Sequence, residues 1–367
     1  MPYVNLSGLR SHNTARVLGL LRAAGEDGVS RLELAERIGL TPQAVSKISA
    51  RLREEGLAAD AGRGPSTGGK PRTLLRLVPD AAHAVGLHLD RDRLTAVLVD
   101  LAGVTVAART GPLDLGAGPR DVLAAAVAEV AALRVEAAAG ARSREAGAGV
   151  LTGAGVAMPG PLDHTAGVPH RVTGFPAWDG FPLRDALREA LGGLPVVLDK
   201  DTNAAALALA LREPGGAGSF AYLHVGTGLG AGLVLGGALY RGARTGAGEF
   251  GHQTVELDGA PCGCGGRGCL EALCLAAVAR GDLDGAARVL GVGAANLAGL
   301  LDIDRVLLGG RVVASAPERF VRGVGAALAG RARRTGEPPV PAAPAPGGPH
   351  LVAEGAAQLV LAPLFGV

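Results

Sequence analysis

Apolar residues between Ser30 and Leu57 recur twice at helical spacing, with a glycine between the two stretches. In the first, Leu32, Leu34, Ala35 and Ile38 share one face, and Gly39 supplies the stop. In the second, Thr41 caps the helix, Pro42 suits its first turn, and Val45, Ile48 and Leu52 form the inward stripe. Gln43, Ser46 and Lys47 are left facing outward near the helix start. After Leu57, two β-compatible runs surround a Gly/Pro/Ser tip that carries Arg63, Lys70 and Arg72. The pattern then changes. Residues 85–103 predict two strands joined at Arg91–Arg93, and residues 221–242 repeat the pattern as strand, glycine turn, strand. Residues 194–211 predict a buried strand running into an Ala-rich helix, which places Asp199, Lys200, Asp201 and Asn203 at a strand-to-helix mouth. Residues 337–350, rich in Pro and Ala, predict a loop or extended linker.

The first 80 residues therefore predict a winged helix-turn-helix. Two short helices joined by a tight turn let the second enter a major groove with its N-terminal side chains aimed at base edges, while a cationic hairpin tip meets phosphates. Helix pairs also serve as plain packing units, and a polar hairpin alone carries no function. Charge adds weight to the DNA reading: residues 1–80 hold 12 Lys+Arg against 8 Asp+Glu, although the whole chain is only +2. Double-stranded DNA is the expected partner. Residues 81–367 form the larger α/β region, with two β-hairpin lobes and helices between them.

At 367 residues the chain is long enough for both parts to build cores, and 48% hydrophobic content with 3% aromatics requires cores of Ala, Val and Leu. No apolar stretch approaches the ~20 residues of a membrane span, and the N-terminus lacks a leader pattern, so a soluble cytoplasmic protein is expected.

Chemistry concentrates at 249–271. His252, Cys262, Cys264 and Cys269 make a soft ligand set suited to a structural zinc ion. A disulfide framework is the alternative, disfavoured by so few cysteines in a long chain. Cys274 reads as a helix-core thiol. Glu249, His252 and Glu271 add hydrogen-bonding groups beside that loop. Asp201 reads either as a proton acceptor for a hydroxyl or as a helix cap. Gly226, Thr227, Gly228 and Gly230 either bring backbone amides to a phosphate or make a tight hairpin.

With GEFGH and CGCGGRGCLE, supported by VAMPGPLD, DKDTNAA, GTGLGAG and LLGG, the chain resembles the ROK family of repressors, open reading frames and sugar kinases over nearly its whole length. That resemblance implies an actin-like, ribonuclease H-like two-lobed sugar kinase fold, with a closing helix packed on the first lobe. It implies zinc on His252, Cys262, Cys264 and Cys269, sugar contacts from Glu249, His252 and Glu271, and a catalytic base at Asp201. Two departures separate this chain from the kinases. His88-Leu89-Asp90-Arg91-Asp92 replaces a glycine-bearing phosphate loop, and Lys200 stands where a sugar-binding Asn is usual. Two like charges ~4 Å apart cost about 4 kcal/mol at an effective dielectric of 20, so ATP phosphates would meet repulsion there. Lys200 is expected either to pair with Asp199 or Asp201, lowering the basicity of Asp201, or to point away as a solvated lysine. The expectation is a DNA-binding regulator, a homodimer or homotetramer on an operator. It senses a sugar through a degenerate, non-enzymatic kinase domain, with phosphate-loop remnants at Gly226, Thr227, Gly228 and Gly230. An active ATP-dependent sugar kinase with a DNA-binding domain is the alternative, and a constitutive DNA-binding protein with a vestigial pocket is a third reading.

Overall fold

A computed structural model describes residues 12–64, 72–141, 149–213 and 218–366. The N-terminal module runs α1 (His12–Ala24), β1 (Val29–Ser30), α2 (Arg31–Ile38), α3 (Pro42–Glu54), β2 (Ala58–Arg63) and β3 (Thr73–Leu77). Local chemistry sets its boundaries. Ser30 and Glu33 form a reciprocal capping box on α2, Gly39 ends that helix at φ 74°, and Thr41 Oγ1 accepts from Ala44 N at 3.3 Å to start α3. The strands order as β1-β3-β2, a small antiparallel wing.

Lobe one contains β4 (Ala82–Leu89), β5 (Arg93–Asp100), β6 (Thr105–Pro112), α4 (Pro119–Ala141), β7 (Val150–Met158), β8 (Leu162–Asp163), β9 (Val168–Pro169), α5 (Leu183–Ala190) and β10 (Val196–Lys200). The helix α6 (Asp201–Leu211) leads into lobe two. There β11 (Phe220–Val225), β12 (Leu229–Leu235), β13 (Ala238–Tyr240), α7 (Leu270–Ala279), α8 (Leu283–Leu301), β14 (Arg305–Gly309), α9 (Arg311–Ser315), α10 (Pro317–Thr335) and β15 (Ala342–Pro344) follow. The last helix, α11 (Leu351–Leu361), returns to lobe one.

The two five-stranded sheets repeat one topology. Orders β10-β7-β4-β5-β6 and β15-β14-β11-β12-β13 each combine three antiparallel strands with two parallel ones, as expected for a duplicated actin-like core. Two details differ from the sequence expectation. Both hairpins gain a third strand, β6 in the first and β13 in the second, and the Pro/Ala-rich segment 337–350 contributes the edge strand β15, paired in parallel with β14. Proline is tolerated at such an edge because one side of the strand needs no donor.

The closing helix packs on lobe one as expected. Gly155 of β7 lies so close to it that a Cβ would sit 1.7 Å from the Ala356 carbonyl oxygen, so only glycine fits. The N-terminal module does not have a core of its own. Val17, Leu18 and Leu21 of α1, Leu34 of α2 and Leu52 of α3 share one apolar cluster with Ala84, Val97 and Val99 of lobe one and Ala353, Ala357 and Leu361 of α11. Among the described residues, no helix is long and apolar enough to cross a membrane.

Candidate functional site

A cleft opens between the lobes, lined by residues of both. Four structural edges aim side chains into it. Lys200 ends β10 and caps α6, Asp201 begins α6, Glu249 precedes a 3-10 turn containing His252, and Glu271 lies in the first turn of α7. Glu271 Oε2 accepts from Leu229 N at 2.8 Å, which ties the helix carrying it to β12. Asp199, almost fully buried, is neutralised by Arg241 Nε at 2.7 Å and also accepts from Asn203 Nδ2 and Lys200 N.

The Lys200 ammonium pairs with neither neighbouring aspartate. Its Nζ donates to Glu249 Oε1 at 3.1 Å and to the Ala247 carbonyl, so the pair runs across the cleft to lobe two. The expected loss of basicity at Asp201 is also reversed. Burial raises its carboxyl to about 7 and Asp90 adds to the rise, outweighing the Thr202 amide and the Lys200 charge. A burial cost on the charged form exceeds the attraction of an ammonium already committed to another carboxylate.

The turn between β4 and β5 fills the neighbouring end of the cleft with side chains. Asp90 Oδ1 accepts from Arg91 N at 2.7 Å and from Thr227 Oγ1 at 2.9 Å, while Arg91 Nη1 donates to the Thr227 carbonyl at 3.3 Å. Arg311, at the start of α9, grips Asp92 with two 2.8 Å bonds and lies 3.6 Å from Asp90. Lobe one thus reaches the glycine turn 226–230 of lobe two through carboxylates and guanidinium groups. Gly228 and Gly230 line the same cleft, as does Thr227; Gly226 stands just behind, its N–H bonded to the Gly228 carbonyl.

Beside the cleft, one ligand atom from each of His252, Cys262, Cys264 and Cys269 falls within 4.8 Å of the others. All four cysteines of the chain are free thiols, and Cys274 is buried in α7 as expected. Cys264 Sγ and Cys269 Sγ are 3.7 Å apart, and Cys262 Sγ is 3.8 Å from His252 Nδ1. A tetrahedron with metal–sulfur bonds of about 2.3 Å has edges of about 3.8 Å, so this donor set fits a single soft or borderline cation. It is a set able to hold a metal, and it abuts Glu249 on one side and Glu271 on the other.

On the N-terminal module, Gln43 and Lys47 are exposed and Ser46 half-buried on the outer face of α3 near its start. Arg63 and Arg72 are exposed at the ends of the wing strands; Lys70 lies outside the described residues. Arg31, which the sequence pattern did not single out, shares a surface hollow with Ser30 and Arg72. Its signal was its position directly after the cap of α2.

A winged helix-turn-helix DNA-binding pattern matches residues 10–58, and the ROK family pattern matches residues 130–277. A solved ROK hexokinase from Thermus thermophilus is 32% identical, with a TM-score of 0.60, covering 75% of this chain and 96% of that one. The chain belongs to the ROK family. A solved ROK family transcriptional regulator, described as a homolog of the E. coli MLC protein, shares the fold over 96% of both chains, at TM-score 0.75 and 21% identity. A putative xylose repressor from Caldicellulosiruptor sp. strain Rt8B.4 is 30% identical over 246 residues, 66% of this chain and 59% of that protein. The alignment therefore spans less than two thirds of that relative's length.

As a ROK protein, the chain brings Lys200, Asp201, Glu249, His252 and Glu271 to one cleft although they span 200–271 in sequence. The cleft also holds Asp90 and Arg91, which face the same space from lobe one.

Proposed function

We propose that this ROK protein is a DNA-binding transcriptional regulator, a repressor of carbohydrate metabolism, whose kinase-like lobes serve as a sugar sensor without kinase activity. One observation carries the reading: a winged helix-turn-helix shares its core with the lobe that walls the cleft, while one end of that cleft is lined by Asp90 and Arg91, tied to Thr227, with Asp92 beside them held by Arg311. In the cleft, Glu249, Glu271 and Asp201 accept sugar hydroxyls and His252 presents its remaining ring nitrogen. A sugar that bridges the lobes favours one lobe arrangement over the other, which is what an effector must do to change DNA affinity.

On the DNA side, Gln43, Ser46 and Lys47 face base edges, and Arg63, Lys70 and Arg72 contact the backbone. A homodimer or homotetramer in the cytoplasm, on a palindromic operator, matches this arrangement. Zinc held by His252, Cys262, Cys264 and Cys269 is structural: it draws the loop into one shape and thereby fixes Glu249 and Glu271. The relatives named xylose repressor and the shared fold of the MLC homolog support this reading.

A second reading, an active sugar kinase, is favoured by one observation. Asp201 stands at the cleft with a proton affinity near neutrality, which suits a general base. Calorimetry of the zinc-loaded protein with hexoses, pentoses and amino sugars, each with and without ATP–Mg²⁺ and a product assay, separates the two. Sugar binding without product, together with release of a DNA sequence selected from a random pool, is the expected result. Phosphorylated sugar overturns it.

A further inference from the structure

We propose that Arg22 and Gln358 are positioning residues that carry the state of the cleft to the DNA-binding module by way of α6 and α11. The proposal rests on the regulator reading and adds to it the route by which the effector acts.

The route begins at the cleft, where α6 starts with Asp201. Two backbone contacts hold α6 without side chains between. A Cβ on Gly232 of β12 would lie 2.1 Å from the Thr202 carbonyl oxygen, and one on Gly355 of α11 would lie 1.9 Å from that of Ala204. The helix is thus wedged between lobe two and α11. Contacts through flexible side chains absorb small displacements by changing rotamer, whereas backbone against backbone transmits them. A change in lobe angle moves β12, and α6 passes that movement to α11.

At the other end of α11, the joint to the N-terminal module is made by Arg22 in the last turn of α1. Its Nη2 donates to Gln358 Oε1 at 3.2 Å and its Nε to the Ala102 carbonyl at 2.9 Å. Its guanidinium carbon stands 4.7 Å from the centre of the Phe365 ring, in the turn that ends α11. Gln358 is buried, with 4% of its surface exposed, so its bond to Arg22 is shielded from competing water. One side chain therefore touches lobe one, α11 and the turn after it, and belongs to the element that packs against α2 and α3. A tilt of α11 changes this joint directly, and α1 conveys the change to α3.

The test uses the full-length zinc-loaded protein, a DNA sequence selected from a random pool, and D-xylose as the probe. Gln358→Leu keeps the volume and removes the acceptor; Gln358→Glu keeps the acceptor; Arg22→Met keeps the stem and removes the guanidinium. In the parent, saturating xylose is expected to change DNA affinity about tenfold or more. In Gln358→Leu and Arg22→Met that change falls to less than about a third of the parent's, while xylose affinity by calorimetry stays at the parent's value. Gln358→Glu retains the full change, which a merely structural role would not predict for the pair. A full change in Gln358→Leu overturns the proposal.

If xylose leaves DNA binding of the parent unaltered, the regulator reading has failed for that sugar, and a ligand-free measurement decides the route. Lys200→Met disturbs the start of α6, and amide hydrogen exchange of α1 reports whether the disturbance arrives. A change in α1 that vanishes in the Lys200→Met/Gln358→Leu pair supports the route. An equal change with and without Gln358, or none at all, overturns it.

Discussion

Lys200 Nζ of lobe one lies 3.1 Å from Glu249 Oε1 of lobe two, a charge pair made across the mouth of the cleft with the lysine almost wholly buried. Glu249 Oε1 is thus engaged by the ammonium, and the pair closes the wall between Gly160 and Gly248. Lys200→Met leaves the Ala247 carbonyl without its donor and Glu249 without its counter-charge. Because Glu249 is about one-third exposed and regains water, the expected loss of stability is about 1–3 kcal/mol rather than the larger penalty of a sealed pair. Urea unfolding monitored by circular dichroism measures it; an unchanged midpoint shows that the pair contributes nothing.

Asp201 makes stability depend on pH. Its carboxyl rises from 3.8 to about 7, so the folded chain keeps a proton that the unfolded chain has released. The associated stability is complete below the unfolded value and drains away as pH rises toward 7. The slope should stay below the ~1.4 kcal/mol per pH unit of one full proton, since the cleft admits water. Asp201→Asn removes this contribution. Urea midpoints compared at about pH 5 and about pH 8 should diverge less in the variant than in the parent, and equal divergence rejects the assignment.

Metal removal should act on the cleft. Cys264→Ser, or a chelator, is expected to abolish stoichiometric zinc and to loosen 249–271, lowering the melting temperature and weakening sugar binding together. Elemental analysis by mass spectrometry reads the first effect. Retention of a full equivalent of zinc by Cys264→Ser sinks the ligand assignment.

The DNA face predicts two kinds of defect. Gln43→Ala should cost about 1–3 kcal/mol and relax preference at one base position, whereas Arg72→Ala should weaken all sequences alike and reduce the salt slope by about one. Fluorescence anisotropy across a salt series with matched and mismatched duplexes separates them. Loss of sequence preference in Arg72→Ala reverses the placement of the wing.

Much of this arrangement was legible because it is written locally. Ser30 with Glu33 and Thr41 with Pro42 mark helix starts within a few residues, and the Cys262, Cys264, Cys269 spacing defines its own loop. The strand-to-helix mouth at 199–203 followed from a change of period at one point. What escaped depends on distance along the chain. Lys200 finds Glu249 49 residues away, and Arg311 finds Asp92 219 residues away, so neither partner is visible in a window of sequence. The proton affinity of Asp201 is hidden for the same reason: its neighbours in sequence suggest a salt bridge, whereas burial dominates. The strand β15 escaped because a parallel edge asks little of composition and tolerates proline.

The apolar cluster shared by α1, β5 and α11 sets an order of events during synthesis. Leu77 completes the helix-turn-helix and wing, yet Leu351, which opens the helix that roofs it, leaves the ribosome roughly 270 residues later. At about 5–20 residues per second that is an interval of roughly fifteen seconds to a minute, in which Val17, Leu18 and Leu21 lack the α11 part of their cluster. A nascent chain thus completes the apolar cluster under its winged helix-turn-helix only after the strands and helices of both lobes have been made, and a chain interrupted before Leu351 lacks the α11 share of it.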